Sequence, residues 1–405
     1  MRSAGQGHPG PPRGRTLRAH RPMEIAQYRV PATGPLAATP TPLGGAHLVL
    51  AFGPSAAGGA PDAAWFEALA ARYPDAVRVY CSTAGHLADV DVCPDGEVAL
   101  TAVRFEHARV RAARVPVADA PDARALGRAL AAALPAEGLR HVLVFADGQQ
   151  VHGGAFVRGL ADGLPAGVHA TGGLAGDDDR FGATAVALDG PPAGPAVVAV
   201  GLYGDRLVVG AGACGGWTHF GPDRVVTRAE GNVLYELDGE PALALYRRYL
   251  GPYADALPGS GLLFPLALRT SDGDTGVVRT VAGVDEAAGS VRFFGDVPEG
   301  MIARLMKASA DRIIDGAGAA AELAAETAGA ALGESDTLAL LVSCCGRRWL
   351  LGQRTEEELD AARAALGARA TLAGFYSYGE VAPLGRLGSA ALHNQTMTVT
   401  LLGER

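Results

Sequence analysis

From His47 onward, short apolar runs alternate with segments of helical periodicity. HLVLAF (47–52) reads as a buried strand, GPSAAGGA as a Gly-rich loop and PDAAWFEALAARY as a helix. Pro61 suits a first helical turn, Asp62 suits the positive helix end, and Phe66, Leu69 and Ala70 share a face. VRVY is the next strand, closing a β-α-β unit at CSTAGH (81–86). EVALTAVRFEHARVRAARVPV (97–117) alternates, which predicts strands with one wetter face. PDARALGRALAAAL and HGGAFVRGLADGLP predict helices, with the buried strand RHVLVFADG between them. GVHATGG is a strand and turn, and AVVAVGLYGDRLVVGAGA predicts strands joined at Tyr203-Gly204-Asp205.

The second half alternates in the same way. A helix is predicted from about Pro241 to Leu250. PEGMIARLMKASADRIIDGAGAAAELAAETAGAAL reads as mainly helical, with Ile302, Leu305 and Met306 on one face and a break at Gly316 and Gly318. DTLALLVSCCG is a buried strand, and Thr355 with Glu358 has the spacing of a capping box for EEELDAARAAL. The fold class this predicts is mixed α/β (α+β), with layered sheets and helices in two tandem domains, 41–225 and 226–400. Residues 1–40, rich in Arg, Gly and Pro at the start, are expected to be a disordered tail, and Met23 is an alternative start. RVYCSTAGHLADV and AGFYSYGEVAPLG echo one another across the halves, which permits a duplicated architecture.

Composition narrows the picture. With 48% hydrophobic and 19% charged residues, the 405-residue chain is expected to be a soluble globular protein. A formal net charge of −8 argues against a dominant nucleic-acid or anionic-membrane surface. No apolar run approaches the ~20 residues of a membrane span. Cys81, Cys93, Cys214, Cys344 and Cys345 show no C-x-x-C pairing, against a disulfide framework or structural zinc and in favour of a cytoplasmic setting.

Four strand ends combine Gly with hydroxyl, amide or carboxylate groups: CSTAGH (81–86), ADGQQVHGG (146–154), TGGLAGDDDRF (171–181) and YSYGE (376–380). In α/β proteins ligands favour such carboxyl-terminal strand ends, although plain turns need the same residue types. The candidate ligand-binding residues are Cys81, Ser82, Thr83, Gly85, Asp147, Gly148, Gly172, Gly173, Arg347, Tyr376, Tyr378, Gly379 and Glu380. Hydroxyl and backbone groups would hold a carboxylate, Arg347 would neutralise it, and Asp147 or Glu380 would receive an amine. A structural Arg347 paired with a carboxylate is the competing reading.

Catalytic signals are weaker. GFYSYGE places Gly374 one position too early for a G-x-S-x-G elbow at Ser377, with no Asp and His partners in a hydrolase order. A thiol-dependent enzyme would use Cys81, with His86 nearby in sequence. Asp177, Asp178 and Asp179 offer oxygen ligands without EF-hand spacing. His152, His169, His219 and His393 leave noncovalent haem open as a possible cofactor, whereas C-x-x-C-H is absent.

Taken in order, VYCSTAGHL, VLVFADGQQVHGGAFVRGL, ATGGLAGDDDRFGAT, VSCCGRRWLLG, GFYSYGEVAP and LHNQTMTVT make the chain resemble the FIST family of bacterial sensory proteins. The resemblance covers nearly everything from about His47, with N-terminal and C-terminal FIST regions in tandem. Family members commonly carry an acid after the CSTAG turn, where this chain has His86. The resemblance implies an intracellular small-ligand sensor, without enzyme activity, that binds an amino acid or similar polar metabolite. Some members are haem-binding nitric-oxide sensors that regulate a histidine kinase. With no output domain expected here, the partner would act in trans, as a histidine kinase or cyclic-dinucleotide signalling protein.

Overall fold

A computed structural model describes residues 23–34, 36, 42–270, 273–332, 336–385 and 388–405. Among these residues the strands gather into four sheets, three of which share one plan. In each of these three, two parallel strands sit side by side: Leu48–Gly53 with Val77–Ser82, Leu139–Ala146 with His169–Leu174, and Thr337–Cys344 with Ala370–Ser377. An antiparallel strand flanks the first member of each pair: Glu97–Phe105, Ala196–Tyr203 and Met397–Glu404. Outside these lie Met23–Pro31, Arg109–Pro116 and Leu207–Cys214, again antiparallel.

The other flank of each sheet is supplied by a neighbour. His86–Ala88 leaves the first sheet and pairs with Ala370–Ser377 of the third. Gly379–Pro383 leaves the third and pairs with His169–Leu174 of the second. Val186–Leu188 leaves the second and pairs with Val77–Ser82 of the first. The exchange is cyclic, so the three sheets form an interlocked ring with threefold pseudo-symmetry. Phe52, Phe145 and Phe375 meet in the shared core, with ring centroids 4.8–6.2 Å apart.

The fourth sheet is built from residues 218–307, between the strand Leu207–Cys214 and the helix Ala310–Ala328. It has its own apolar cluster around Leu234, Tyr246, Leu266 and Phe293. The ends of this insertion lie together, since Thr218 pairs with Lys307 and its hydroxyl donates to the Lys307 carbonyl. No helix among the described residues is long and apolar enough to cross a membrane.

Several local expectations are corrected. Met23–Pro31 is a nine-residue strand, so the tail expected over 1–40 does not include it; residues 1–22 lie outside the described ones. Its period-2 signal was masked by the Arg- and Gly-rich flank. Glu97–Phe105 is buried on both faces instead of having a wet one, because Val98, Leu100 and Ala102 pack with the helix residues Trp65, Phe66 and Leu69 while Ala99, Val103 and Phe105 face the shared core. Ile302–Lys307 is a strand, and pairing with Leu266–Thr270 overrides its helical period. The helix Ala310–Ala328 runs unbroken through Gly316 and Gly318. Gly316 serves close approach there, since a Cβ would lie 2.7 Å from the Gly216 nitrogen. Thr355 and Glu358 form no capping box: the threonine hydroxyl donates to Gly352 O, and Glu358 turns into the core.

Candidate functional site

The cyclic exchange brings the polar strand ends together. Ala84 N donates to Tyr376 O, Tyr376 N to Gly85 O, Gly176 N to Ser82 O, and Tyr378 N to Leu174 O. The turns therefore interlock through their backbones, and most of the predicted site residues are spent on holding them. Ser82 Oγ donates to Gly176 O and accepts from Ala185 N. Asp147 is buried, and its Oδ1 accepts from Gln149 N and Gln150 N, so it shapes the loop and is not presented to an amine. Gly148 allows that loop to touch its neighbour, since a Cβ would lie 1.9 Å from Ala175 O. Gly172 sits at φ 142° against the Val144 carbonyl, a conformation and a contact that exclude a side chain. Gly173 and Gly379 face the side chains of Val342 and Leu392 in the same way.

Arg347 and Glu380 also turn inward. Arg347 has no exposed side-chain surface: Nε and Nη2 donate to Glu358 Oε2, Nη1 to Gly215 O, and Nη2 to Ile313 O. Its four donations are satisfied internally, which removes it as the cation for a ligand carboxylate. Glu380 accepts from Ser377 Oγ, Thr396 N and Thr396 Oγ1, and burial pushes its carboxyl well above the usual carboxylate range. Tyr376 is equally buried. Cys81 lies among the core apolar residues, and burial, reinforced by the Asp147 charge, raises its thiol pKa. A thiol held neutral and sealed from solvent is a poor nucleophile.

Two cavities open beside the interlocked turns. The smaller, about 230 Å³, is lined by Thr83, Gly85, His86, Asp95, Arg180 and Arg348. Here Arg348, the sequence neighbour of Arg347, reaches out: Nη1 donates to Ala84 O and to Asp178 Oδ1. Gly85, at φ 120°, lies directly under its guanidinium. His86 Nδ1 is 3.2 Å from Thr83 Oγ1, and burial pushes the imidazole down to about 4, so it is neutral at pH 7.

The larger cavity, about 670 Å³, lies between the interlocked core and the inserted sheet. The core contributes Gly148–Gly153, Leu174, Phe181, Trp349 and Tyr378, and the insertion contributes Asn232, Arg292, Phe293 and Phe294 among others. Phe181 stacks on Tyr378 at 4.7 Å and on Phe294 at 6.0 Å, and meets Trp349 edge-on at 5.6 Å. It sits at φ 49°, as Asp178 does at φ 52°, in a turn built around buried Asp177. That carboxylate accepts from Ser55 Oγ, Gly182 N and Ala183 N. The Asp triplet is thus a turn organiser, and no group of three metal-ligating side chains occurs among the described residues.

Of the predicted ligand-binding residues, Gly148 and Tyr378 line the larger cavity, and Thr83 and Gly85 the smaller. Phe181, Trp349, Arg292 and Phe294 were missed. A bulky aromatic inside a polar turn, as in DDDRF, and a Trp just after an Arg pair, as in GRRW, are the signals by which two of them could have been found. The residues of the larger cavity do not fit a haem. Its one histidine, His152, has Nδ1 accepting from Ala155 N and Nε2 3.4 Å from Asp296, and the Tyr378 hydroxyl donates to Asp178 O. Neither side chain has an uncommitted atom for an axial position.

Comparison with known proteins gives two adjacent matches. The FIST N domain matches residues 47–240 and the FIST C domain residues 242–383. No curated protein matches the chain. Among solved structures, a cyanuric acid hydrolase from A. caulinodans aligns at 12% identity over 74% of this chain and 99% of that one. Its TM-score of 0.18 carries no inference about fold or activity.

Proposed function

Since the chain belongs to the FIST family, whose domains are sensory modules of signal transduction, we propose that it is a sensor whose small ligand seats in the 670 Å³ cavity. The observation that carries this reading is the composition of the cavity wall. One side belongs to the three-sheet core and the other to the inserted sheet, so an occupant touches both. A ligand gripping both bodies stabilises their closed arrangement, and that differential affinity is what a signal requires. Among the described residues few polar ties span the same seam: Asp296 to Arg158 and His152, Arg279 Nη1 to Leu392 O, and Gln395 Nε2 to Leu262 O.

The ligand is a small polar metabolite similar to an amino acid in bearing a carboxylate, which it places at Arg292 instead of the buried Arg347. The signal passes to a separate protein, a histidine kinase or a cyclic-dinucleotide signalling protein. Binding without turnover is supported by the sealed Cys81 thiol and by the donation of the Ser377 hydroxyl to Glu380. Thermal denaturation against a panel of amino and organic acids tests the reading. A ligand should raise the melting temperature of the native protein and lose that effect in Tyr378→Ala, while Thr83→Val in the smaller cavity keeps it. A rise that survives Tyr378→Ala and vanishes in Thr83→Val would move the site to the smaller cavity.

A further inference from the structure

We infer that the ligand of the larger cavity is a planar conjugated acid: one or two fused rings bearing a carboxylate. This rests on the proposed sensor site and narrows its chemistry.

Shape is the first argument. The planes of Tyr378, Phe181 and Phe294 are nearly parallel, at 19° and 17°, and Trp349 stands edge-on to Phe181. Phe181 and Phe294 are 39% and 38% exposed, a large apolar surface for side chains facing an opening. A flat ring covers such a face with offset stacking, and a flexible aliphatic chain does not.

Charge is the second. Arg292 lines the cavity, and among the described residues its guanidinium has neither a hydrogen bond nor an ion pair. No Asp or Glu among the described residues lines the same space. A carboxylate therefore meets a free two-pronged donor, while an ammonium meets no counter-charge. The side chains of Gln149 and Gln150 are exposed at the rim, and Asn232 Nδ2 donates to Phe293 O, leaving its Oδ1 for a ring N–H.

Isothermal titration calorimetry with indole-3-carboxylate, quinoline-2-carboxylate and nicotinate tests the inference on the full chain, with indole, alanine and succinate as comparators. At least one ring acid should bind, more tightly than indole and than either aliphatic acid. Arg292→Gln and Phe181→Ala should each weaken it by roughly tenfold. Both side chains are exposed, so the variants should keep the wild-type circular dichroism spectrum. Failure of all three ring acids to bind overturns the inference, as does binding indifferent to both substitutions. Binding of alanine or succinate that needs Arg292 but not Phe181 also overturns the ring class, while leaving the cavity as the sensor site. Binding of any of these probes that ignores Arg292→Gln, Phe181→Ala and Tyr378→Ala alike overturns the site itself.

Discussion

Arg347 and Arg348 are neighbours in sequence with opposite roles. Arg347 opens its fork into the core and ties Glu358 to two carbonyls, whereas Arg348 bridges Ala84 and Asp178 at the rim of the smaller cavity. Removing one partner of a buried pair leaves an uncompensated charge, so Arg347→Met should cost about 3–5 kcal/mol in urea denaturation. Arg348→Met, at a side chain 27% exposed at the cavity rim, should cost about 1 kcal/mol or less in the same measurement. Glu380 makes a different prediction. Its folded pKa is raised, so the unfolded chain ionises first and stability falls as pH rises from the ordinary carboxyl range towards the raised value. Glu380→Gln should flatten that fall; urea midpoints that decline above the ordinary carboxyl range as steeply as in wild type would refute it. Motif reading pointed Arg347 and Glu380 at a ligand and passed over Arg348, because side-chain orientation follows from packing partners far away in sequence.

The exchanged strands are the decisive elements. Each carries an apolar residue into a host sheet: Leu87, fully buried, packs with Ala317, Ala320 and Leu359 of the third unit, and Val381 enters the cluster of the second. Leu87→Ala should cost about 2–5 kcal/mol. It should also speed hydrogen exchange in Ala370–Ser377, whose Gly374 is the register partner of Leu87. Unchanged exchange there would mean that the exchanged strand contributes little to its host. The echo between CSTAGH and FYSYGE is legible as sequence and correct as structure, for both follow the second parallel strand and lead into an exchanged one. The third copy, HATGGL, escaped notice because glycines replace its bulky residues.

At the level of the whole molecule, the insertion is separable by geometry. Its ends meet at Thr218 and Lys307, so replacing 219–306 with a short glycine linker should leave the interlocked core folded and abolish ligand-induced stabilisation. A truncated chain that still responds to ligand would show that the insertion does not wall the site. Acid stability is also a property of the whole core. Burial pushes His86 and His393 down to about 4 and His141 to about 3, against roughly 6.5 when unfolded. The unfolded chain takes up protons first, so the stability these three histidines contribute is intact above about pH 6.5 and drains as pH falls towards 4. Each histidine contributes up to about 1.4 kcal/mol per pH unit in that window. Proton uptake on unfolding at about pH 5, measured by calorimetry in buffers of different ionisation enthalpy, should fall by about one in His141→Gln.

The chain's own pattern determined the alternation of strand and helix, the mixed α/β class, the glycine-rich strand ends and the family they resemble. Those features depend on residues close together along the chain, where hydrophobic period and turn chemistry suffice. Tertiary structure alone decided which strands cross between sheets, which arginine is buried, and that the larger cavity is walled by Phe181, Trp349 and Arg292. These outcomes depend on pairings between residues hundreds of positions apart, such as Leu87 with Gly374 and Gly379 with Leu174, and no local period encodes them.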